Sequence, residues 1–379
     1  MMLPDPTVSL SLPSLDDGLV LDCRVYHPLK QRNLHAAIVA HPYAPLGGSF
    51  DDPVVDTVAG TLLRLGFIVG TFNFRGAAGS AGRTSWTSKP ERLDYMSMVG
   101  FMAFYVHHLD KVSATKPVLL HAGYSYGAMI TSQIPPLNDI LDHFSEPAPG
   151  SSATEIRLRA QNLASQFTVT SSATAGRHGS PRLGIRIGGD EDRRSIDARR
   201  STDTDERLRR GVHDILAKAK LHRQSGSVDI AKDSRDVKGG DKGDEVLHYH
   251  QAMAKTDTIC LPALSLADFF RPAYLMVSPL QGVITTLATM SFLRRGHDAG
   301  SDERAERKLV ENPALALFGD QDVFVAAKRL RQWGARLEAQ TDSQFRAHEI
   351  STAGHFWIED RVLYIMRDAV GTFASELLK

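Results

Sequence analysis

The run VLLHAGYSYG at residues 118–127 decides how the rest of the chain is read. Val118, Leu119 and Leu120 form a short apolar run that predicts a buried strand, and the run ends in Gly123-Tyr124-Ser125-Tyr126-Gly127. That pentapeptide has the form G-x-S-x-G, a sharp strand-to-helix turn that lifts a serine hydroxyl above a sheet. The two glycines suit such a turn, because a Cβ at either point would run into the neighbouring strand or helix. A helix from Ala128 onward would aim its positive N-terminal end at the serine and at any oxyanion formed there. Ser125 is therefore the candidate nucleophile.

Upstream of this stretch the pattern is that of an α/β protein. Residues 8–12 and 19–26 alternate apolar and polar around Asp16-Asp17-Gly18, which predicts a hairpin at the antiparallel edge of a larger sheet. The run AAIVA at 36–40 predicts a strand covered on both faces. Asp52 followed by Pro53 predicts a helix start, with a capping carboxylate and a proline where its missing N–H costs nothing. A second buried strand over 67–74 and a long helix over 92–109 complete the order strand-helix-strand-helix-strand, the signature of a parallel sheet.

Downstream the pattern breaks for about 135 residues after Pro135-Pro136. Ser152 and Glu155 have capping-box spacing, and Ile156, Ala160, Leu163 and Phe167 follow at helical intervals. Residues 169–203 are rich in Ser, Arg, Gly and Asp and predict a largely disordered stretch. Leu208, Val212, Ile215, Leu216 and Ala219 predict a second amphipathic helix. His248 and His250 have no third ligand nearby, so no metal is expected. Regular order returns with strands over 273–277, 314–318 and 345–350 and helices over 283–294, 325–337 and 362–378. The polar stretch 297–307 is read as a connection.

Ser125, Asp322 and His355 each follow a strand that would be parallel in one sheet, so their loops share one edge. Their types fit acyl transfer: a hydroxyl needs an imidazole to take its proton, and the imidazole needs a carboxylate to fix its tautomer. The chain order Ser…Asp…His is that of α/β-hydrolases. Asp320 is a rival for the acid, or a residue that shapes the turn.

Composition narrows the field. Lys and Arg number 44 and Asp and Glu 44, a balance that gives no footprint for nucleic acid or an anionic membrane surface. A hydrophobic share of 42% over 379 residues supports a sizeable core. Cys23 and Cys260 cannot form a disulfide framework. The N-terminal stretch has no basic start followed by an apolar run, and the most apolar window, 269–290, is broken by Arg271, Pro272 and Pro279. No signal peptide and no membrane span are expected, and a cytoplasmic location is.

The chain resembles the α/β-hydrolase fold serine hydrolases over residues 19–134 and 271–379. The matching pieces are His41-Pro42-Tyr43, FNFRGAAGS at 72–80, GYSYG, GDQD at 319–322 and AGHF at 353–356. The resemblance implies a mostly parallel sheet with helices on both faces and a helical, partly disordered insertion. The organisation expected is core over 1–134, a capping insertion over 135–270 and core again over 271–379. It also implies Ser125, Asp322 and His355 as a triad, with the backbone N–H groups of Tyr126 and Tyr43 as oxyanion hole. Two departures are visible: Pro42 follows His41 where a glycine is commoner, and the insertion falls before the sixth strand. The expected activity is hydrolysis of a carboxylic ester or thioester of a small-molecule acyl substrate, with no cofactor. The alternatives are an aminopeptidase-like hydrolase and a non-catalytic binding protein on the same fold.

Overall fold

The computed structural model describes residues 3–29, 34–109, 115–174, 185–187, 261–281 and 299–379. In chain order the elements are β1 (Val8–Pro13), β2 (Val20–Tyr26), β3 (Ala36–Ala40), α1 (Pro53–Arg64), β4 (Ile68–Phe72), α2 (Lys89–Leu109), β5 (Val118–Tyr124) and α3 (Tyr126–Gln133). Then come α4 (Leu137–Ser145), α5 (Ser152–Thr174), β6 (Ile185–Ile187), β7 (Arg271–Val277), α6 (Ala299–Glu311), β8 (Ala314–Gly319), α7 (Ala327–Glu338), β9 (Phe345–Ile350) and α8 (Val362–Leu377). The strands form one sheet in the order β6-β1-β2-β4-β3-β5-β7-β8-β9. β2 runs antiparallel to both β1 and β4, and the pairs from β3 through β9 are parallel.

Strand composition explains the layers. β3 and β5 are buried along their whole length, as expected of strands without a solvent face. Along β3, Ala36, Ile38 and Ala40 join the apolar cluster beneath α2, while Ala37 and Val39 join the one beneath α1 and α8. α1 begins where expected: Asp52 Oδ1 accepts from Val54 N–H at 2.8 Å, and Pro53 occupies the first helical position. β3 lies between β4 and β5, so the connections leaving it and reaching β5 pass on opposite sides. That divergence opens a crevice at the carboxyl ends of β3 and β5, where sites in such sheets form.

Several expectations change. The helix begun by Ser152 is capped by Ser151, whose Oγ accepts from Thr154 N–H at 3.3 Å, while the Glu155 carboxylate pairs with Arg159. Ile156, Ala160 and Leu163 are buried in the same cluster as Phe101 and Phe104 of α2 and Phe144 of α4. The apolar stripe of α5 thus finds its partner in the core. The core continues through α4 and α5, past the boundary expected at residue 134. Within the stretch read as largely disordered, Ile185–Ile187 pairs in parallel with Val8, Ser9 and Leu10 of β1, whose outer edge would otherwise leave backbone groups unpaired. Residues 299–307 of the connection expected at 297–307 belong to α6; Leu309 and Val310 in its last turns are buried, which the charged run over 302–308 concealed. The second amphipathic helix around Leu208–Ala219, the histidines His248 and His250 and the helix expected over 283–294 lie outside the described residues.

Candidate active site

The turn at Ser125 has the geometry its sequence requires. Ser125 takes φ 55° and ψ −112°, in the left-handed half of backbone space, between the end of β5 and the first residue of α3. Its N–H donates to the Val277 carbonyl at 2.8 Å, so the strained residue is tied to the next strand. A Cβ on Gly123 would lie 2.3 Å from the Gly127 carbonyl carbon, and one on Gly127 would lie 2.5 Å from the Ala40 carbonyl oxygen. Only glycine lets α3 fold back this closely over β5 and β3.

The three side chains expected to act together do meet. His355 Nε2 lies 2.8 Å from Ser125 Oγ, and His355 Nδ1 lies 2.7 Å from Asp322 Oδ2. Asp322 Oδ1 accepts from the backbone N–H groups of Phe324 at 2.8 Å and Val325 at 2.9 Å. A carboxylate holding two N–H donors on one oxygen is suited to accept a third hydrogen bond, from Nδ1–H, on the other. That tautomer leaves the Nε2 lone pair for the serine hydroxyl proton. The Asp322 side chain is fully buried and that of His355 nearly so.

Asp320 takes a different part. Its Oδ1 accepts from Thr352 N–H at 2.8 Å and its Oδ2 from the Ser351 hydroxyl at 3.3 Å. Gln321 N–H donates to the Ala353 carbonyl at 3.0 Å, and a Cβ on Gly319 would lie 1.8 Å from that carbonyl oxygen. The GDQD segment therefore grips the histidine loop at consecutive points, and the role left open for Asp320 is that of shaping the turn.

The residues expected to supply the oxyanion hole face each other across the crevice. The rings of Tyr43 and Tyr126 have centroids 5.1 Å apart. Tyr126 is the first residue of α3, so its N–H has no acceptor within the helix. The loop bearing Tyr43 is fixed from below by His41, whose Nε2 accepts from Phe74 N–H at 2.8 Å and whose Nδ1–H donates to the Pro42 carbonyl at 2.6 Å. Burial pushes the His41 imidazole down to about 4, which keeps it neutral and able to accept.

Sequence reasoning passed over three further features. Burial raises the Asp52 carboxyl to about 6 against the pull of the two cap N–H groups, and its charge reaches His355. Phe324 and Phe356 flank the imidazole, with ring centroids 4.5 and 5.5 Å from it. Arg75, from the FNFRGAAGS segment, binds the buried Asp94 carboxylate through Nε at 3.0 Å and a terminal nitrogen at 2.8 Å. It also reaches Ser14 and Asp17, so it ties the β1–β2 turn to α2. Asp52, Arg75 and Phe356 each stand in a segment the sequence singled out, but their contacts with His355 and Asp94 join distant parts of the chain and left no signal.

No model of a known protein family matches the sequence, and no curated protein matches it. Among solved structures, an α/β serine hydrolase without lid from Xanthomonas campestris is similar at 15% identity, over 100% of this chain and 97% of that one, with a TM-score of 0.47. Est1E from Butyrivibrio proteoclasticus, solved with ferulic acid bound, is similar at 12% identity, over 98% of this chain and 100% of that one, with a TM-score of 0.47. An esterase from Pyrococcus furiosus gives 11%, 97%, 89% and 0.45. Likenesses at these identities and TM-scores say nothing of this chain's chemistry. The strand order, with its antiparallel second strand and its serine turn after β5, is by itself that of the α/β-hydrolase fold.

Proposed function

We propose that the protein is a serine hydrolase that cleaves a carboxylic ester or thioester through an acyl-enzyme. The observation that supports this best is the continuous hydrogen-bond chain from Asp322 through His355 to Ser125, 2.7 and 2.8 Å long. In the proposed reaction Ser125 Oγ bonds to the acyl carbon as its proton passes to His355 Nε2. The imidazolium, stabilised by Asp322, then gives that proton to the departing oxygen or sulfur. Water repeats the sequence on the acyl-enzyme and frees the acid. The negative charge on the acyl oxygen would be met by the N–H groups of Tyr126 and Tyr43, each worth about 10²–10³ in rate for such a donor. The three side chains supply nucleophile, base and orienting acid, so the reaction calls for no cofactor, and the substrate is a small acyl compound.

The test is labelling with a fluorophosphonate probe, with a panel of esters, thioesters and aminoacyl amides run alongside. Labelling confined to Ser125, and lost together with turnover in a folded Ser125→Ala variant, is the expected result. Undiminished hydrolysis by Ser125→Ala would overturn the proposal.

A further inference from the structure

β5 and β7 lie side by side with Tyr124 opposite Val277, and this pair of strand ends holds the Ser125 backbone through the bond from its N–H to Val277. The same two ends also reach the loop that bears His355. Tyr124 Oη donates to the His355 carbonyl at 3.0 Å across 231 residues of chain. Ser278 Oγ, one residue past β7, accepts from Trp357 Nε1 at 3.0 Å. Tyr124, Ser278, His355 and Trp357 are all buried.

The histidine loop is not relaxed backbone. Thr352 and Trp357, on either side of His355, take φ 67° and 57°, and Ser278 takes φ 47°. Left-handed conformations at residues other than glycine persist only where their surroundings over-determine them. On the β8 side that is done by Gly319, Asp320 and Gln321, which hold 352–353. On the other side it falls to Tyr124 and to the indole–hydroxyl bond between Trp357 and Ser278. His355 must meet Oγ and a carboxylate at once, at 2.8 and 2.7 Å, and a shift of about 1 Å in such an arrangement can cost ~10² in rate.

Resting on the proposed hydrolase reading, we infer that Tyr124 and the Trp357–Ser278 pair are positioning residues. The ends of β5 and β7 hold the nucleophile and one side of the general base's loop on one platform, while the β8 segment holds the other side. Tyr124 occupies the first x of the G-x-S-x-G turn, and its hydroxyl is the group that reaches the histidine loop.

The test compares Tyr124→Phe, which removes one oxygen, and Trp357→Phe, which removes the indole N–H, with the wild type and Asp322→Asn. Two readings are taken: ester turnover across pH, and the low-field proton resonance of His355 Nδ1–H, assigned by its loss in Asp322→Asn. The expected result for each variant is a fall in kcat of about 10- to 100-fold with KM within about twofold. A displaced acid limb in the pH profile and a shifted or broadened resonance should accompany it. Variants that lose thermal stability while kcat, the pH profile and the resonance stay as in the wild type would overturn the inference. The resonance decides the point even if no ester is cleaved, so failure of the hydrolase reading shows separately, as an unlabelled Ser125.

Discussion

Asp320 and Asp322 stand two residues apart and hold two points of one loop. The first accepts from Thr352 N–H at 2.8 Å and the second binds His355 Nδ1 at 2.7 Å. One carboxylate therefore fixes the backbone of the loop and the other its imidazole. Asp322→Asn should leave the imidazole in the wrong tautomer and lower kcat by up to ~10⁴, the figure known from serine proteases. Asp320→Ala should cost about 1 kcal/mol of stability and less than tenfold in kcat. Urea midpoints and ester turnover on the two variants separate the roles, and a larger catalytic loss at position 320 would reverse them.

His121 and His41 should make the protein sensitive to mild acid. Burial lowers His41 to about 4 and His121 to about 3, and neither ring nitrogen of His121 has a protein partner. Both groups bind a proton more weakly folded than unfolded, where a histidine titrates near 6.5. Their contribution is thus complete above about pH 6.5 and is lost as the pH falls toward 4 and 3. His121→Leu removes two unpartnered polar atoms and should raise stability by about 1 kcal/mol at pH 7 and by more at pH 5. Urea unfolding at the two pH values tests this, and an equal effect at both would refute the assignment to His121.

Ile156 distinguishes a core helix from a cap. It is fully buried in the cluster shared with α2. Ile156→Ala should lower stability by about 3 kcal/mol and leave the preference along a p-nitrophenyl ester chain-length series as in the wild type. A changed chain-length profile at unchanged stability would restore the cap reading for α5.

Lys308 closes the far end of the serine helix. Its Nζ, buried, donates to the carbonyls of Thr131 at 2.9 Å, Ser132 at 3.2 Å and Ile134, at the C-terminal end of α3. Lys308→Met keeps the stem and removes the donors, leaving those carbonyls without that partner and costing about 3 kcal/mol. Differential scanning calorimetry would measure the loss, and a melting temperature within a degree of the wild type would count against the role.

Much of this was legible in the residues. AAIVA and VLL reveal strands covered on both faces, because a parallel sheet spares no position for polar side chains, and Asp52-Pro53 reveals a helix start through local chemistry alone. Gly123 and Gly127 announced the close approach that the Cβ distances bear out. Other features depended on partners far along the chain. The edge of β1 recruits Ile185–Ile187 by backbone pairing, which requires no particular side chain. The bonds from Tyr124 to His355 and from Trp357 to Ser278 join residues that no spacing rule connects. α6 hid behind its charged run over 302–308, since its large buried apolar side chains, Leu309 and Val310, come near its end.

The 230 residues between Ser125 and His355 also impose an order in time. At about 5–20 residues per second, translation delivers His355 some 10 to 50 s after Ser125. Through that interval the elbow lacks its imidazole, and β7, β8 and β9 join the sheet beside it one after another. On the proposed reading, a nascent chain is therefore idle toward acyl compounds until residue 355 has emerged. Ribosome-stalled chains ending before residue 355 should stay unlabelled by a fluorophosphonate that marks the full-length protein, and labelling of the shorter chains would show that the serine is active without its histidine.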